Sequence, residues 1–488
     1  MIRHFSLLLA LAPLPARLLA QKQALTSADS ALVGRVLLAE DRRDSTDRAL
    51  SDGARHADGR IRTLALRALA RIRDPRFAAR DSFPRLPAPR AWPEPAWRLR
   101  FRALAGQKEN CSALRTALAD GTWQVRLRAA DLVTPACAAD DSIVGTVREW
   151  VVMLPTDASR RSAGNVSWHA GAHGIVALAR LRPREAGPLV RWMATYRQWQ
   201  ARMYAARAAA VLSDTTTLRT LVRDADDNVK EAAIEALSKL TGHADDALFL
   251  AALNAQGAQA VRAAALALKG SPRPDVAAAA SGVFERWVAR GNDSERDARV
   301  ALLDAAGRPA SDDRVFRVRV VGVISDAADS GLPPHAVALA LGEDVRLRVT
   351  MSPASGGGSF VVKLRGDVAP MMAARVLALA STRYYNGGNW HRVEPDFVIQ
   401  GAGPGTNEYV GYKYYFRDEL GTVPHVRGTL GMSTRSHDTG DAQWFVNLKD
   451  NLRLGRDYTV FAEVVDGIEV VDGILEGDRI ATVTVEKP

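Results

Sequence analysis

The chain has 488 residues, of which 47% are hydrophobic and 25% charged, and its formal net charge is +10. This length exceeds what one hydrophobic core usually organises, so we expect two or more structural units. The composition is ordinary for folded globular protein and excludes general disorder. The surplus arginines are scattered along helical sequence and form no Lys/Arg block, so we expect no nucleic-acid partner.

Residues 1–20 have the order of a secretory signal peptide. Arg3 and His4 precede a mostly apolar stretch, and Ala20 stands before the polar Gln21. The apolar stretch is too short for a permanent membrane span. We therefore predict cleavage after Ala20, a periplasmic or secreted location and no membrane contact afterwards; an ordinary N-terminal helix is the alternative. A lipoprotein would need a cysteine in place of Gln21.

A helical pattern recurs over residues 28–308. A small or β-branched apolar residue precedes a basic one, alanines follow at helical spacing, and copies such as those from Asp58, Asp120 and Asp224 return about every 30 residues. These segments resemble HEAT repeats of the short bacterial type. The resemblance implies an all-α solenoid, whose concave surface suits a protein partner. A helical bundle without repeats is the alternative.

Two irregular segments interrupt the helical pattern or follow it, and the chain also has two cysteines. Ser82–Trp97 carries five prolines, which predicts a loop or an extended crossover. Residues 309–335 form a predicted linker, in which the alternation of Arg314–Ser325 indicates a strand. Cys111 and Cys137 are either a disulfide or two buried thiols, and no His/Cys cluster indicates a metal.

From residue 336 to residue 488 the sequence changes to short strands and Gly-rich turns. Glu343–Met351 and Ser359–Arg365 predict a β-hairpin, and Val368–Thr382 predicts a helix with a proline near its start. Several more short strands follow. A mainly β domain with one or two helices favours a closed barrel.

Within this region WHRVEPDFVIQG, residues 390–401, resembles the cyclophilin signature F-H-R-V-x-P-x-F-x-x-Q-G. Further segments follow in the family's order, namely YFRDEL, HVRGTLGMS, AQWFVNL and YTVFAEVVDGIEVVDGI. The resemblance covers the whole of residues 336–488. It implies a peptidyl-prolyl cis-trans isomerase that needs no cofactor, metal or covalent nucleophile.

The resemblance also implies roles for individual residues. Arg392 matches the family's catalytic arginine, and Phe397 and Gln400 complete the expected catalytic set. The expected substrate-binding residues are Val398, Met432, Ser433, Gln443, Phe445, Leu454 and Tyr458. Core or fold roles are the alternative for the aromatic residues, but an arginine in an aromatic setting favours function.

The sequence departs from the family pattern at the edge of the expected pocket. The family's tryptophan falls at Leu452 or Arg453, in the basic loop KDNLRLGRDY. Since that indole mainly contacts cyclosporin-type ligands in the family, we predict turnover with weak cyclosporin binding. GAGPGT lacks the third glycine of a dinucleotide loop at the right spacing, and SHDTGD lacks EF-hand spacing.

The predicted function is therefore catalysis of rotation about X-Pro bonds in exported polypeptides, which assists their folding, with the repeat region binding a partner. The alternative is a scaffold that recognises proline-containing segments without turnover. A third hypothesis gives the repeats an unrelated function.

Overall fold

The structure is a computed structural model that describes residues 25–75, 86–154, 168–314, 316–319, 322–325 and 331–486. The predicted signal peptide lies outside the described residues. The described helices are α1 Ser27–Arg42, α2 Arg48–Ala54, α3 Gly59–Arg73, α4 Trp97–Ala103, α5 Cys111–Leu118, α6 Trp123–Leu132, α7 Asp141–Val152, α8 Trp168–Leu181, α9 Pro183–Met193, α10 Trp199–Leu212, α11 Thr215–Leu221, α12 Asp227–Thr241, α13 Asp246–Ala252, α14 Ala258–Leu268, α15 Val276–Arg290, α16 Arg296–Ala305, α17 Ala336–Ala340, α18 Pro370–Ser381 and α19 Ile468–Asp472. The described strands are β1 Phe316–Arg319, β2 Gly322–Ser325, β3 Arg346–Met351, β4 Ser359–Leu364, β5 Arg392–Val393, β6 Val398–Gly401, β7 Thr429–Met432, β8 Trp444–Asn447, β9 Val460–Asp466 and β10 Ile480–Glu486.

Helices α4 to α16 form a helical array with one continuous apolar core. The even-numbered helices of the array form one stacked row, in which α6 packs on α8, α8 on α10, α10 on α12, α12 on α14 and α14 on α16. The fully buried alanines, such as Ala201, Ala205 and Ala208 of α10, allow this close approach. Aspartates begin several of these helices, as where the Asp226 side chain accepts a hydrogen bond from Asn228 N. The predicted all-helical region is confirmed, and its HEAT-like identity stays a prediction.

Cys111 and Cys137 are joined by a disulfide, so the first of the two alternatives holds in the structure. The bond links the start of α5 to the segment after α6, with the two Cα atoms 5.4 Å apart. It thus ties together the first helices of the array.

Helices α1 to α3 differ from the predicted organisation, which assigned them to the repeat region 28–308. Their apolar faces belong to the same core as the β-domain and not to the core of the array. An ion pair also joins these helices to the β-domain. Nη1 and Nη2 of Arg375 in α18 each donate to the Asp41 carboxylate of α1 at 2.8 Å, and both side chains are buried. The amphipathic pattern predicts the helices correctly but does not say which surface their apolar faces meet.

The described part of the proline-rich segment, residues 86–96, lies along the β-domain. Its described residues before Trp97 contain neither helix nor strand, as the prolines predict. Arg90 N donates to the Glu463 carboxylate at 2.8 Å, and the Trp92 indole donates to Val464 O at 3.2 Å. This segment therefore covers part of strand β9.

The β-domain is an antiparallel sheet in the order β10-β3-β4-β9-β7-β8-β6-β5. The sheet curls until its edges meet, because Gly477 N donates to Trp390 O at 2.7 Å and Ile480 N donates to Gly388 O at 2.8 Å. Helix α18 packs against β9 and β10. The predicted mainly β barrel, its first hairpin and its helix are confirmed; we call this part the barrel.

In the predicted linker, β1 and β2 pair with each other as an antiparallel hairpin, separate from the barrel sheet. The single strand predicted over residues 314–325 is thus two. None of the helices in the described ranges is both long and apolar enough to cross a membrane.

Candidate active site

Four neighbouring strands bring Arg392, Gln400, Phe445 and Gly431 into one row. Arg392 pairs with Gln400, Gln400 with Phe445, and Phe445 with Gly431. Directly opposed residues of an antiparallel sheet project to the same face, so these positions form one surface. Residues that are distant in the sequence therefore meet through strand register.

Gly431 leaves the space that the Phe445 ring fills. A Cβ atom at position 431 would lie 2.1 Å from Cζ of Phe445, well inside contact distance. The tip of the Phe445 ring can approach β7 this closely only because position 431 carries no side chain.

Beside this row is a pocket of about 100 Å³ that has one apolar, aromatic wall. Val398, Phe445 and Leu454 are buried together, and Phe397 and Tyr458 pack against them. Tyr458 meets the Phe445 ring edge-on, with ring centroids 5.4 Å apart. Burial raises the pKa of Tyr458, so its phenol stays protonated at neutral pH. The pocket is suited to a small apolar ring.

Arg392 lies at the rim of the pocket with 43% of its side chain exposed. Its Nη1 donates to Gln400 Oε1 at 3.3 Å, and Gln400 Nε2 donates to Ser433 Oγ at 3.0 Å. Glu394 is 3.9 Å away at its nearest oxygen, and the Phe397 ring centroid is 5.8 Å from Cζ. The hydrogen-bond chain orients a guanidinium that lines the pocket.

His391, next to Arg392, cannot serve as a base at neutral pH. Burial, reinforced by the Arg392 charge, lowers its pKa to about 3. Both ring nitrogens are buried, with no hydrogen-bond partner among the described residues. It is a neutral neighbour of the site.

A layer of polar side chains supports the pocket from below. The His425 ring stacks on Phe445 with centroids 5.6 Å apart, and His425 Nε2 lies 3.0 Å from Tyr458 O. Asn447 Nδ2 donates to His425 Nδ1 at 3.1 Å, which leaves the proton on Nε2 to donate to Tyr458 O. Asn451 Nδ2 donates to Phe397 O at 3.0 Å. Both sides of the aromatic pocket are thereby fixed.

Most of the predicted site residues meet at this pocket, namely Arg392, Phe397, Val398, Gln400, Ser433, Phe445, Leu454 and Tyr458. Met432 does not: it is fully buried in the barrel core. Side chains alternate along β7, so Met432 points away from the face that Gly431 presents. Gln443 is also buried, and its amide donates to Glu408 O and Val410 O, so it holds a loop and does not face the pocket.

The pocket has three further lining residues that the sequence did not indicate: Glu408, Thr434 and Arg435. Arg435 forms ion pairs with Asp297 of α16 at 2.6 Å and with Asp441 at 3.0 Å. The only sequence signal for Thr434 and Arg435 is their place directly after Ser433. Glu408 lies in a loop without a motif.

Of the two positions proposed for the missing indole, Arg453 is the one against the pocket. Its Cζ lies 4.8 Å from the Phe397 ring centroid, whereas Leu452 is 66% exposed. A guanidinium therefore covers the aromatic edge. Among the described residues, no group of three or more His, Cys, Asp or Glu is placed to hold a metal ion.

Comparison with known proteins gives consistent matches to one family. The profile described as "Cyclophilin type peptidyl-prolyl cis-trans isomerase/CLD" matches residues 348–487. Peptidyl-prolyl cis-trans isomerase B of Escherichia coli (strain K12) is 36% identical over 128 residues, which cover 24% of this chain and 78% of that protein. Peptidyl-prolyl cis-trans isomerase-like 3 of Dictyostelium discoideum is 36% identical over 121 residues, 24% of this chain and 74% of that protein.

Among solved structures, a crystal structure of a cyclophilin type peptidyl-prolyl cis-trans isomerase from Cryptosporidium parvum is similar to the barrel. It is 21% identical, with a TM-score of 0.28, and the match covers 30% of this chain and 99% of that chain.

Proposed function

The chain belongs to the cyclophilin-type peptidyl-prolyl cis-trans isomerases, and from this membership we propose that Arg392 and its pocket catalyse rotation about X-Pro bonds. The observation that carries the proposal is a half-exposed guanidinium, oriented by Gln400, at the rim of a pocket with an apolar, aromatic wall. Phe397 and Gln400 complete the proposed catalytic set. Val398, Ser433, Phe445, Leu454 and Tyr458 are the proposed substrate-binding residues.

The reaction needs a site that prefers a twisted amide. Amide resonance produces a rotation barrier of about 18 to 20 kcal/mol, and X-Pro bonds relax over tens to hundreds of seconds. A catalyst lowers this barrier by binding the twisted state better than either planar isomer. No covalent bond is made or broken.

The pocket and Arg392 contribute to catalysis in different ways: the pocket binds the proline ring, and Arg392 stabilises the twisted amide. Burying the three ring methylenes of proline contributes about 2 kcal/mol and holds one side of the bond still. As the amide twists, the prolyl nitrogen regains a lone pair, and a guanidinium donor stabilises that state selectively. Gln400, which matches the family's glutamine that bonds the substrate backbone, holds Arg392 through Oε1 and Ser433 through Nε2. A charged hydrogen bond of about 1.5 to 3 kcal/mol corresponds to roughly 10- to 100-fold in rate.

The test is a protease-coupled isomerisation assay on a proline tetrapeptide. We expect Arg392→Ala to lower kcat/KM about 10- to 100-fold, because it removes the donor. Arg346→Ala is the matched control, since Arg346 is an equally exposed arginine of β3 that pairs with Asp344. If the wild type does not accelerate isomerisation, the chain is a scaffold that binds proline segments without turnover.

We also propose that the enzyme acts on exported polypeptides in an oxidising compartment. The arrangement of residues 1–20 supports export, and the bond between Cys111 and Cys137 supports an environment where disulfides persist. N-terminal sequencing of the protein from fractionated cells should give Gln21 as the first residue. A cytoplasmic protein that retains Met1 would contradict the proposal.

Finally, we propose that the helical array is HEAT-like and binds a polypeptide partner. Its support is the stacking of alternate helices from α6 to α16. Capture experiments with the full chain, with and without substitutions on the inner helices, test this role.

A further inference from the structure

A second cavity, of about 410 Å³, lies between the helical array and the barrel. Helices α6, α8 and α10 supply one wall, which includes Trp123, Leu127 and Val176. The opposite wall comes from the barrel, with Pro395 and Leu475 among its residues. The cavity thus joins apolar surfaces of both parts of the chain.

This cavity adjoins the proposed active site at Arg392. Arg392 lines both the proline pocket and the cavity, and Glu394 lies beside it in the cavity wall. An extended polypeptide advances about 3.3 to 3.6 Å per residue. A client chain whose proline occupies the pocket and that passes Arg392 on the side of Glu394 would reach the cavity within a residue or two of that proline.

Direct contacts hold the two walls together. His169 Nε2 of α8 lies 2.7 Å from Glu476 O of the barrel. Gln124 of α6 donates to Asp472 O at 2.9 Å, and the Tyr204 hydroxyl of α10 donates to the Glu476 carboxylate at 3.1 Å. The cavity is therefore a built part of the fold and not a gap between loosely joined units.

The array contributes three arginines to the cavity: Arg128 and Arg180 form no ion pair with the described residues, whereas the charge of Arg207 is opposed by the Glu476 and Asp131 carboxylates. Arg128 packs over the Phe101 ring at 5.3 Å, Arg207 packs over the Tyr204 ring at 4.3 Å, and Arg180 donates to the Asp131 backbone oxygen at 2.8 Å. No carboxylate of the described residues lies within 4.0 Å of these three guanidinium groups.

The acidic groups of the cavity are already engaged. Asp131 pairs with His173 at 2.6 Å, Glu476 accepts from Tyr204, and Glu394 is 3.9 Å from Arg392. Among the residues that line the cavity, four arginines face three carboxylates, so the formal charge of the lining is positive and its natural complement is a carboxylate.

We infer that this cavity binds the client segment flanking the proline and prefers a segment that carries a carboxylate side chain. The inference rests on the proposed function of the Arg392 pocket. The helical array then takes part in substrate selection, because helices α6, α8 and α10 form one wall of the cavity that receives the client segment.

The experiment compares short and long substrates by NMR exchange spectroscopy, with the full chain as enzyme. The short substrate is a blocked proline tetrapeptide. The long substrates are twelve-residue peptides with the same central tetrapeptide and two Glu residues on the N-terminal flank, two on the C-terminal flank, or Lys in the same places.

For the wild type we expect kcat/KM to be about tenfold higher for one of the Glu peptides than for its Lys counterpart. Arg128→Gln, Arg180→Gln and Arg207→Gln should each reduce this Glu-to-Lys ratio several-fold. Arg191→Gln is the matched control, because Arg191 is an exposed arginine of α9 outside the cavity lining. Thermal unfolding of each variant verifies the fold, and with three separate arginines the test survives the loss of one variant.

The two proposals fail in different ways. If the wild type does not accelerate isomerisation of the tetrapeptide, the proposed function is wrong. If it accelerates every peptide but shows no Glu preference on either flank, or if the three arginine variants keep the wild-type ratio, the inference about the cavity is overturned.

Discussion

Arg102 Nε of helix α4 lies 2.8 Å from Oδ1 of Asp396, in the turn between strands β5 and β6. Lys449 approaches the other oxygen of Asp396 at 3.2 Å. This turn connects Arg392 to Phe397 and is closed by a hydrogen bond from Phe397 N to Glu394 O at 2.8 Å. The helical array thus holds the hairpin that carries the proposed catalytic arginine.

Arg102 is therefore expected to act as a positioning residue. Arg102→Ala should lower kcat on a proline tetrapeptide about two- to fivefold with little change in KM, because a partly exposed ion pair contributes about 0.2 to 1 kcal/mol. Arg102→Lys should restore most of the loss. Arg100→Ala, on the same helix but paired with Asp120, is the control, and an equal effect of both alanine variants would contradict the expectation.

Gly431 offers a sharper test of the pocket geometry. In Gly431→Ala the new Cβ meets the Phe445 ring, so we expect the free energy of unfolding to fall by about 1 to 3 kcal/mol and turnover to drop with it. Gly145→Ala in α7 is the control, since its Cβ would meet nothing within 4 Å. Urea unfolding and the isomerisation assay measure both effects; a Gly431→Ala protein with wild-type stability and turnover would show that the ring does not need this space.

The sequence predicted this site well because the family signature spans β5 and β6, where Arg392 and Gln400 pair directly. It failed at Met432, one position before Ser433, because neighbouring strand residues face opposite sides of the sheet. A resemblance places a residue in a strand without fixing which face its side chain takes in this chain.

The sequence could not predict the contacts between helices α1 to α3 and the barrel, for another reason. Asp41 and Arg375 are separated by 334 positions, yet they form a buried bidentate pair. The amphipathic pattern of α1 indicates that one face is buried, but a helix in a repeat and a helix against a barrel show the same pattern. The shared core of α1 to α3 with the barrel therefore became visible only in three dimensions.

His391 predicts a measurable pH dependence of stability. Its pKa is lowered to about 3 in the folded protein, against an ordinary value of 6.5. The unfolded chain therefore binds more protons between these values, so this contribution to stability is complete above pH 6.5 and is lost as the pH falls toward 3.

The test compares the wild type with His391→Phe, which fills similar space and does not titrate. Between pH 7.5 and pH 5 the stability of the wild type should fall by about 2 kcal/mol more than that of the variant, since one pKa unit corresponds to about 1.4 kcal/mol. Chemical unfolding at several pH values gives the difference, in which the carboxylates common to both proteins cancel. Parallel curves would mean that His391 stays accessible to protons in the folded state.

Arg453 provides the last prediction, because it occupies the place beside Phe397 where the family's indole is expected. A guanidinium over the ring edge covers less apolar surface than an indole, so we expect no nanomolar binding of cyclosporin by the wild type in calorimetry. Arg453→Trp should tighten binding at least tenfold. Arg456→Trp, an exposed arginine three positions further on, is the matched control and should leave the affinity unchanged. Nanomolar binding by the wild type, or equal gains in both variants, would mean that the ligand profile does not depend on this side chain.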